Sequence, residues 1–190
     1  MLYLLDFDRT LFDTDDYNRM LVTEPACAPF ADELRAVLSE DRDETLHGSR
    51  ERLEAWHKVS EAIRSGALTF APGELARFLY PDVPEFLRGM GNEAVIMTLG
   101  EIERQRVKIT SSLADVVRLT VLYTGKELKA EYLSEWPGYY GQQALLVDDR
   151  AVELEALAER FPALSLYEMR RDGAPGDGRW PVVRSLTELP

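Results

Sequence analysis

LLDFDRTLF, residues 4–12, is the stretch on which the fold turns. Leu2 to Phe7 is a short apolar run that breaks into acids, the mark of a buried strand whose end carries function. Asp6 and Asp8 stand two residues apart on extended chain, so their carboxylates point roughly the same way. Burying paired like charges is costly unless something compensates, and a divalent cation held by carboxylate oxygen, magnesium for example, would do so. A solvated strand end is the other reading of these two acids. LLVDDR, residues 145–150, repeats the pattern. Asp148 and Asp149 also suit the start of the helix that follows, since acids favour helix N-termini. Two apolar strands ending in acids on one edge of one sheet weigh toward a metal site.

Working outward, similar apolar runs recur at Ala94–Thr98, Leu119–Tyr123, Ala144–Val147 and Leu164–Met169. Helical stretches follow three of them, at Glu101–Leu113, Leu128–Trp136 and Ala151–Arg160. Alternating strands and helices predict an α/β protein with a parallel sheet covered on both faces, which binds ligands at the carboxyl ends of its strands. Gly173–Trp180 reads as an exposed loop before a last short strand near Pro181–Val183.

Residues 16–80 break this rhythm. Ala31–Leu38 and Ser49–Ser65 carry apolar residues at helical spacing, the second through Leu53, Trp56, Val59 and Ile63, with Gly66 placed to end it. Pro72–Leu79 reads as another short helix, and Pro84–Arg88 as a helix start on the return to the core. A helical insertion therefore interrupts an α/β chain directly after its first strand.

With 190 residues, the chain has room for one core domain and a modest insertion. The 34 acidic side chains outnumber the 22 basic ones, for a net charge of −12. That balance and the lack of a basic stripe weigh against long nucleic acids and anionic membranes as partners. A small anion is still compatible with a locally positive site. One cysteine, Cys27, makes no internal disulfide and reads as a small buried side chain. No signal peptide or membrane span is read, and a cytoplasmic protein is the expectation.

The motifs together resemble the haloacid dehalogenase-like superfamily of phosphohydrolases. DFDRT (6–10) is similar to that family's first motif, VIMTLG (95–100) to its second through Thr98, LKAEYL (128–133) to its third through Lys129, and LLVDDR to its fourth. They occur in the family's order and frame nearly the whole chain. The resemblance implies a three-layer, Rossmann-like core of residues 1–15 and 81–190 with a helical cap of residues 16–80. It implies Asp6 as a nucleophile forming an aspartyl-phosphate, and Asp8 as the acid and base, which should keep a pKa near the working pH. Thr98 would hold phosphoryl oxygens and Lys129 would supply a positive charge, with Lys126 the rival lysine. Magnesium would be held by Asp6, the main-chain carbonyl of Asp8 and Asp148, with Asp149 directly or through water. Thr10 would support the first loop by hydrogen bonding. Arg9 departs from the family, which commonly has a small residue there.

The implied function is a phosphatase acting on a small phosphorylated metabolite. A phosphomutase on the same scaffold and a catalytically inactive binding or regulatory protein are the alternatives. Dehalogenation fits less well, because dehalogenases of the family do not keep an acid at the Asp8 position. Candidate substrate readers are Arg42, His47, Arg50, His57 and Lys58 in the insertion, and Phe12, Asp13 and Tyr17 near the site mouth. Trp56 reads better as core packing.

Overall fold

The structure, a computed structural model, describes residues 1–39, 50–116, 119–139, 142–176 and 178–190. Six strands, β1 (Leu2–Leu5), β2 (Ala94–Leu99), β3 (Thr120–Gly125), β4 (Ala144–Asp148), β5 (Ser165–Met169) and β6 (Val182–Val183), form one sheet. Its order is β3-β2-β1-β4-β5-β6 and every pairing is parallel. In β1, Tyr3 and Leu5 join the apolar cluster on one face, and Leu2 and Leu4 join the cluster on the other. Burial on both faces is why the central strands are continuously apolar rather than alternating. Val83 and Leu87 of α4 (Val83–Met90) and Ile109 of α5 (Ile102–Ser112) cover the first face. Leu133 of α6 (Lys129–Glu135) and Leu154 and Leu157 of α7 (Ala151–Arg160) cover the second. The result is the three-layer α/β core expected.

Among its described residues, the segment between β1 and α4 is made of helices joined by turns and contributes no strand to the sheet. It holds α1 (Thr14–Leu21), α2 (Ala31–Ser39), α3 (Arg50–Arg64) and 3-10 turns at Pro25–Phe30 and Glu74–Phe78. The short helix expected at Pro72–Leu79 is thus a 3-10 turn. Helix α1 was not anticipated, although its signals are ordinary. Asp13 caps it by accepting the Asp16 N–H at 2.9 Å, and Asp15 and Asp16 fill the first turn. The stripe expected on α3 is rotated. Leu53 is 50% exposed, and the buried face runs through Ala55, Val59 and Ala62, with Trp56 and Ile63 half-buried. That face meets α5 and the neighbouring insertion helix rather than the sheet.

The insertion leaves and rejoins the core side by side. The Asp13 N–H donates to Phe78 O at 2.7 Å and the Tyr80 N–H to Leu11 O at 3.1 Å. Phe12, Tyr17 and Phe78 pack ring against ring at this junction. Among the described residues, no helix is long and apolar enough to cross a membrane.

Candidate active site

Parallel pairing brings the strand ends to one edge. Asp6 follows β1, Asp148 closes β4, and Thr98 lies near the end of β2 on the opposite side of β1. Oxygens of Asp6, Asp148 and Asp149 lie within 4.8 Å of one another. The Lys129 ammonium sits against two of these acids, donating to Asp6 Oδ1 and, at 2.5 Å, to Asp148 Oδ2. Lys126, the rival, is exposed.

Lys129 reaches this place because it begins α6. Its main-chain N–H donates to Glu153 Oε2 at 3.0 Å, a fully buried carboxylate on α7. Glu153 thus satisfies an orphan donor of one helix from the flank of the next.

The cluster is short of positive charge. Burial raises the Asp6 carboxyl well above its usual range; Lys129 opposes the shift and Asp148 and Asp149 add to it. Burial, reinforced by Asp148, pushes Asp149 up to about 7. Burial alone would lower Lys129, but Asp148 and Asp6 outweigh it and raise the ammonium well above the lysine range. Asp6 Oδ2 is buried and has no hydrogen-bond partner among the described residues. An oxygen-only donor set of three clustered carboxylates with a single lysine against two of them fits a hard divalent cation.

A pH dependence follows. Asp149 titrates higher folded than at its ordinary 3.8, so its contribution to stability is full in acid and lost as pH rises through about 7. Asp6 shifts in the same direction. The Tm of chelator-treated protein should therefore fall between pH 5 and 8, by an amount on the order of 2 kcal/mol in stability. Magnesium should raise Tm more at pH 8 than at pH 5, and Asp149→Asn should flatten the slope. A slope identical in that variant would remove Asp149 from this account.

Asp8 has partners of its own, apart from the lysine of the acid cluster. Its Oδ1 accepts from Lys108 and, at 2.5 Å, from the Thr14 hydroxyl, and its Oδ2 accepts from Gln105 Nε2 at 2.7 Å. Burial alone would raise this carboxyl, but Lys108 outweighs it and holds Asp8 well below the usual range. The expectation of a pKa near the working pH is therefore not met in this state. Gln105 also donates to Leu99 O at 2.8 Å, passing across Gly100. Gly100 has φ +128°, and a Cβ there would stand 2.8 Å from Gln105 Nε2. Gly100→Ala should cost roughly 1–3 kcal/mol and be visible as a lower Tm.

Gln105 and Lys108 were missed in the sequence. The available signal was their place on α5: Gln105 lies one turn before Ile109, and Lys108 beside it, on the inward face. Polar residues on an apolar helix face ask for a partner.

Thr98 is 1% exposed and its hydroxyl has no partner among the described residues. The Thr10 hydroxyl is equally unpartnered, so the loop support expected of it comes instead through its main-chain carbonyl. That carbonyl accepts from Arg171 Nε at 3.0 Å and Nη2 at 2.8 Å. Arg9 has φ +61°, a left-handed conformation that favours Gly or Asn. Its guanidinium lies 3.0 Å from Asp15 and 4.0 Å from Asp149, at the edge of the acid cluster.

Of the candidate readers, Arg42 and His47 lie outside the described residues, as does the Arg50 side chain. His57 is exposed, and Lys58 pairs with Glu33 of α2. Phe12 and Tyr17 are buried, and Asp13 is committed to its cap. Cys27 is buried, which raises its thiol to about 11.

No family model and no curated protein sequence matches the chain. Solved structures do. A protein from Burkholderia xenovorans LB400, described as haloacid dehalogenase-like hydrolase, is 25% identical with a TM-score of 0.64, over 99% of this chain and 94% of that one. A haloacid dehalogenase-like hydrolase from Bacteroides fragilis is 16% identical with a TM-score of 0.56, over 99% and 98%. A haloacid dehalogenase-like family hydrolase from Xanthomonas campestris is 18% identical with a TM-score of 0.55, over 97% and 90%. With the six-stranded parallel sheet, the acids at its carboxyl edge and the likeness at 25% identity along nearly the full length, the chain belongs to the haloacid dehalogenase-like superfamily.

Proposed function

We propose that the chain is a magnesium-dependent hydrolase of phosphomonoesters. The observation that carries the reading is Asp6: a buried carboxylate at the binding edge of the sheet, with one oxygen held by Lys129 and the other without a partner among the described residues. Asp6 Oδ2 attacks phosphorus, the ester P–O bond breaks, and an aspartyl-phosphate forms. Water then cleaves the acyl phosphate, returning Asp6 and releasing inorganic phosphate. The Thr98 hydroxyl, without a partner among the described residues, donates to a phosphoryl oxygen. Lys129 offsets the negative charge that the phosphoryl group brings to Asp6. Asp8 is anionic in the substrate-free state; it takes the proton that a monoanionic ester brings, passes it to the departing oxygen, and then accepts one from the water that attacks the aspartyl-phosphate. Asp6, Asp148, Asp149 and the Asp8 carbonyl would hold magnesium. When bound, the ion screens nucleophile from substrate and neutralises charge on the phosphoryl oxygens.

Residues 16–80 act as the cap over this edge, hinged where Asp13 pairs with Phe78 and Leu11 with Tyr80. The retained acid at position 8 favours phosphate esters over haloacids. A cytoplasmic setting and a small metabolite are in keeping with the acidic balance and the single cysteine. The test is phosphate release from a panel of aryl and alkyl phosphomonoesters with magnesium, with Asp6→Asn as control. No turnover across the panel, with beryllium fluoride also failing to bind, would sink the reading.

A further inference from the structure

Beside Asp8 the charge balance reverses. Arg104 and Lys108 lie one turn apart on α5, on a protein that is otherwise strongly acidic. Lys108 is 3% exposed, and its ammonium stands 5.5 to 6.0 Å from the ring centres of Phe7, Phe12 and Tyr17. The Arg104 guanidinium stacks over Trp56 of α3, 5.0 Å from the ring centre, which places it between the core and the insertion. Asp8 acts electrostatically on both cations, and Arg104 is the strongest charge acting on the Tyr17 hydroxyl. Glu101 also acts on Arg104, but it is exposed and its Oε2 caps α5 by accepting the Arg104 main-chain N–H at 2.9 Å.

Donors here outnumber acceptors. Arg104 Nη1 and the Tyr17 hydroxyl are buried without a partner among the described residues. Tyr17 as a whole is 1% exposed. The Lys108 ammonium has three N–H groups, and among the described residues its hydrogen bond goes to Asp8. Buried donors left unmade are costly, and folded proteins seldom keep several together without a use. Two cations and a hydroxyl with one carboxylate between them describe a place for an anion. Helix α5 follows β2, on the other side of β1 from the acids of β4, and Lys108 is seated on Asp8; with Asp8 beside the departing oxygen, this place is on the side of the alcohol.

We propose that Arg104, Lys108 and Tyr17 bind a second anionic group, a carboxylate or a further phosphate, carried by the leaving alcohol of the substrate. The acidic cluster at Asp148 and Asp149 is on the other side of Asp6 and would repel such a group, which fixes the substrate's orientation. The proposal rests on the phosphomonoester reading for the placement of Asp8 beside the departing oxygen.

Binding and turnover separate the two. Titration calorimetry with magnesium-loaded Asp6→Asn protein would compare three esters: 3-hydroxypropyl phosphate, 2-carboxyethyl phosphate and propane-1,3-diyl bisphosphate, together with homologues one methylene longer. At least one anionic member should bind roughly tenfold tighter than its neutral counterpart, as a charge-assisted hydrogen bond provides. Which member wins tells carboxylate from phosphate. Adding Arg104→Met should bring the ratio to within about twofold, and Arg104→Lys should restore part of it. Because the readout is a ratio within one protein, partial unfolding of a variant cancels. Equal affinities, or a preference that Arg104→Met leaves unchanged, would overturn the subsite. Phosphate release by the native enzyme without discrimination would leave the hydrolase reading intact and the subsite refuted. Anion-selective binding with no phosphate release would do the reverse, and failure of all the esters to bind would refute both.

Discussion

Asp6→Asn is expected to lower phosphate release by roughly 10⁴-fold or more, the scale seen when a covalent nucleophile is removed. The substitution keeps the shape of the side chain and removes only the charge and nucleophilicity of Oδ2. It should not unfold the protein. Burial beside Asp148 and Asp149 already disfavours the charged form of Asp6, so a neutral amide there relieves repulsion in the metal-free state. Tm in chelator should hold or rise, while the stabilisation by magnesium shrinks because one ligand is weakened. A variant that is stable, folded and still active would show that the phosphoryl group goes elsewhere.

Lys129→Met carries the largest expected effect on stability. Lys129 is 1% exposed and is the cation that donates to both Asp6 and Asp148. Removing one partner of a buried ion pair typically costs about 3–5 kcal/mol, which for a chain of this size is a fall in Tm of roughly 10 °C. The loss has a pH signature. Without the ammonium, Asp6 and its neighbours take up protons more readily, so the deficit should be greatest at pH 8 and smaller at pH 5. Magnesium should recover part of it at pH 8 by supplying positive charge to the same acids. Activity should fall by about 10²-fold or more even when the fold is restored by magnesium, since the charge beside Asp6 is lost. Thermal melts at the two pH values, with and without magnesium, check the first claim. A deficit independent of pH would mean that Lys129 contributes packing rather than charge.

Much of the core was legible because its signals are local. A strand buried on both faces must be apolar throughout, so Leu2–Leu5, Ala94–Leu99 and Ala144–Asp148 announce themselves. Parallel order follows from the helices between them, and ligand binding at the strand ends follows from parallel order. Helix α3 was found but its phase was not. Its apolar residues occupy more than one face, and only its neighbours decide that Ala55, Val59 and Ala62 turn inward while Leu53 is left exposed. Helix α1 was passed over because its acidic first turn resembles a loop, although Asp13 supplies the cap.

The sequence by itself determined the kind of fold and the set of acids at Asp6, Asp8, Asp148 and Asp149, because apolar strands ending in carboxylates are written along the chain. Tertiary structure alone decided how those acids are partnered. Lys129 and Lys126 differ by three positions, and a helix start docked on Glu153 makes one buried and leaves the other in solvent. Asp6 and Asp8 are two residues apart, and their carboxylates were expected to point roughly the same way. In the fold one faces Lys129 and the other faces Lys108, contributed by a helix about a hundred residues further on. Charge partners are chosen by distance in space, which falls off steeply, and spacing along the chain carries that distance only within one strand or one helix turn.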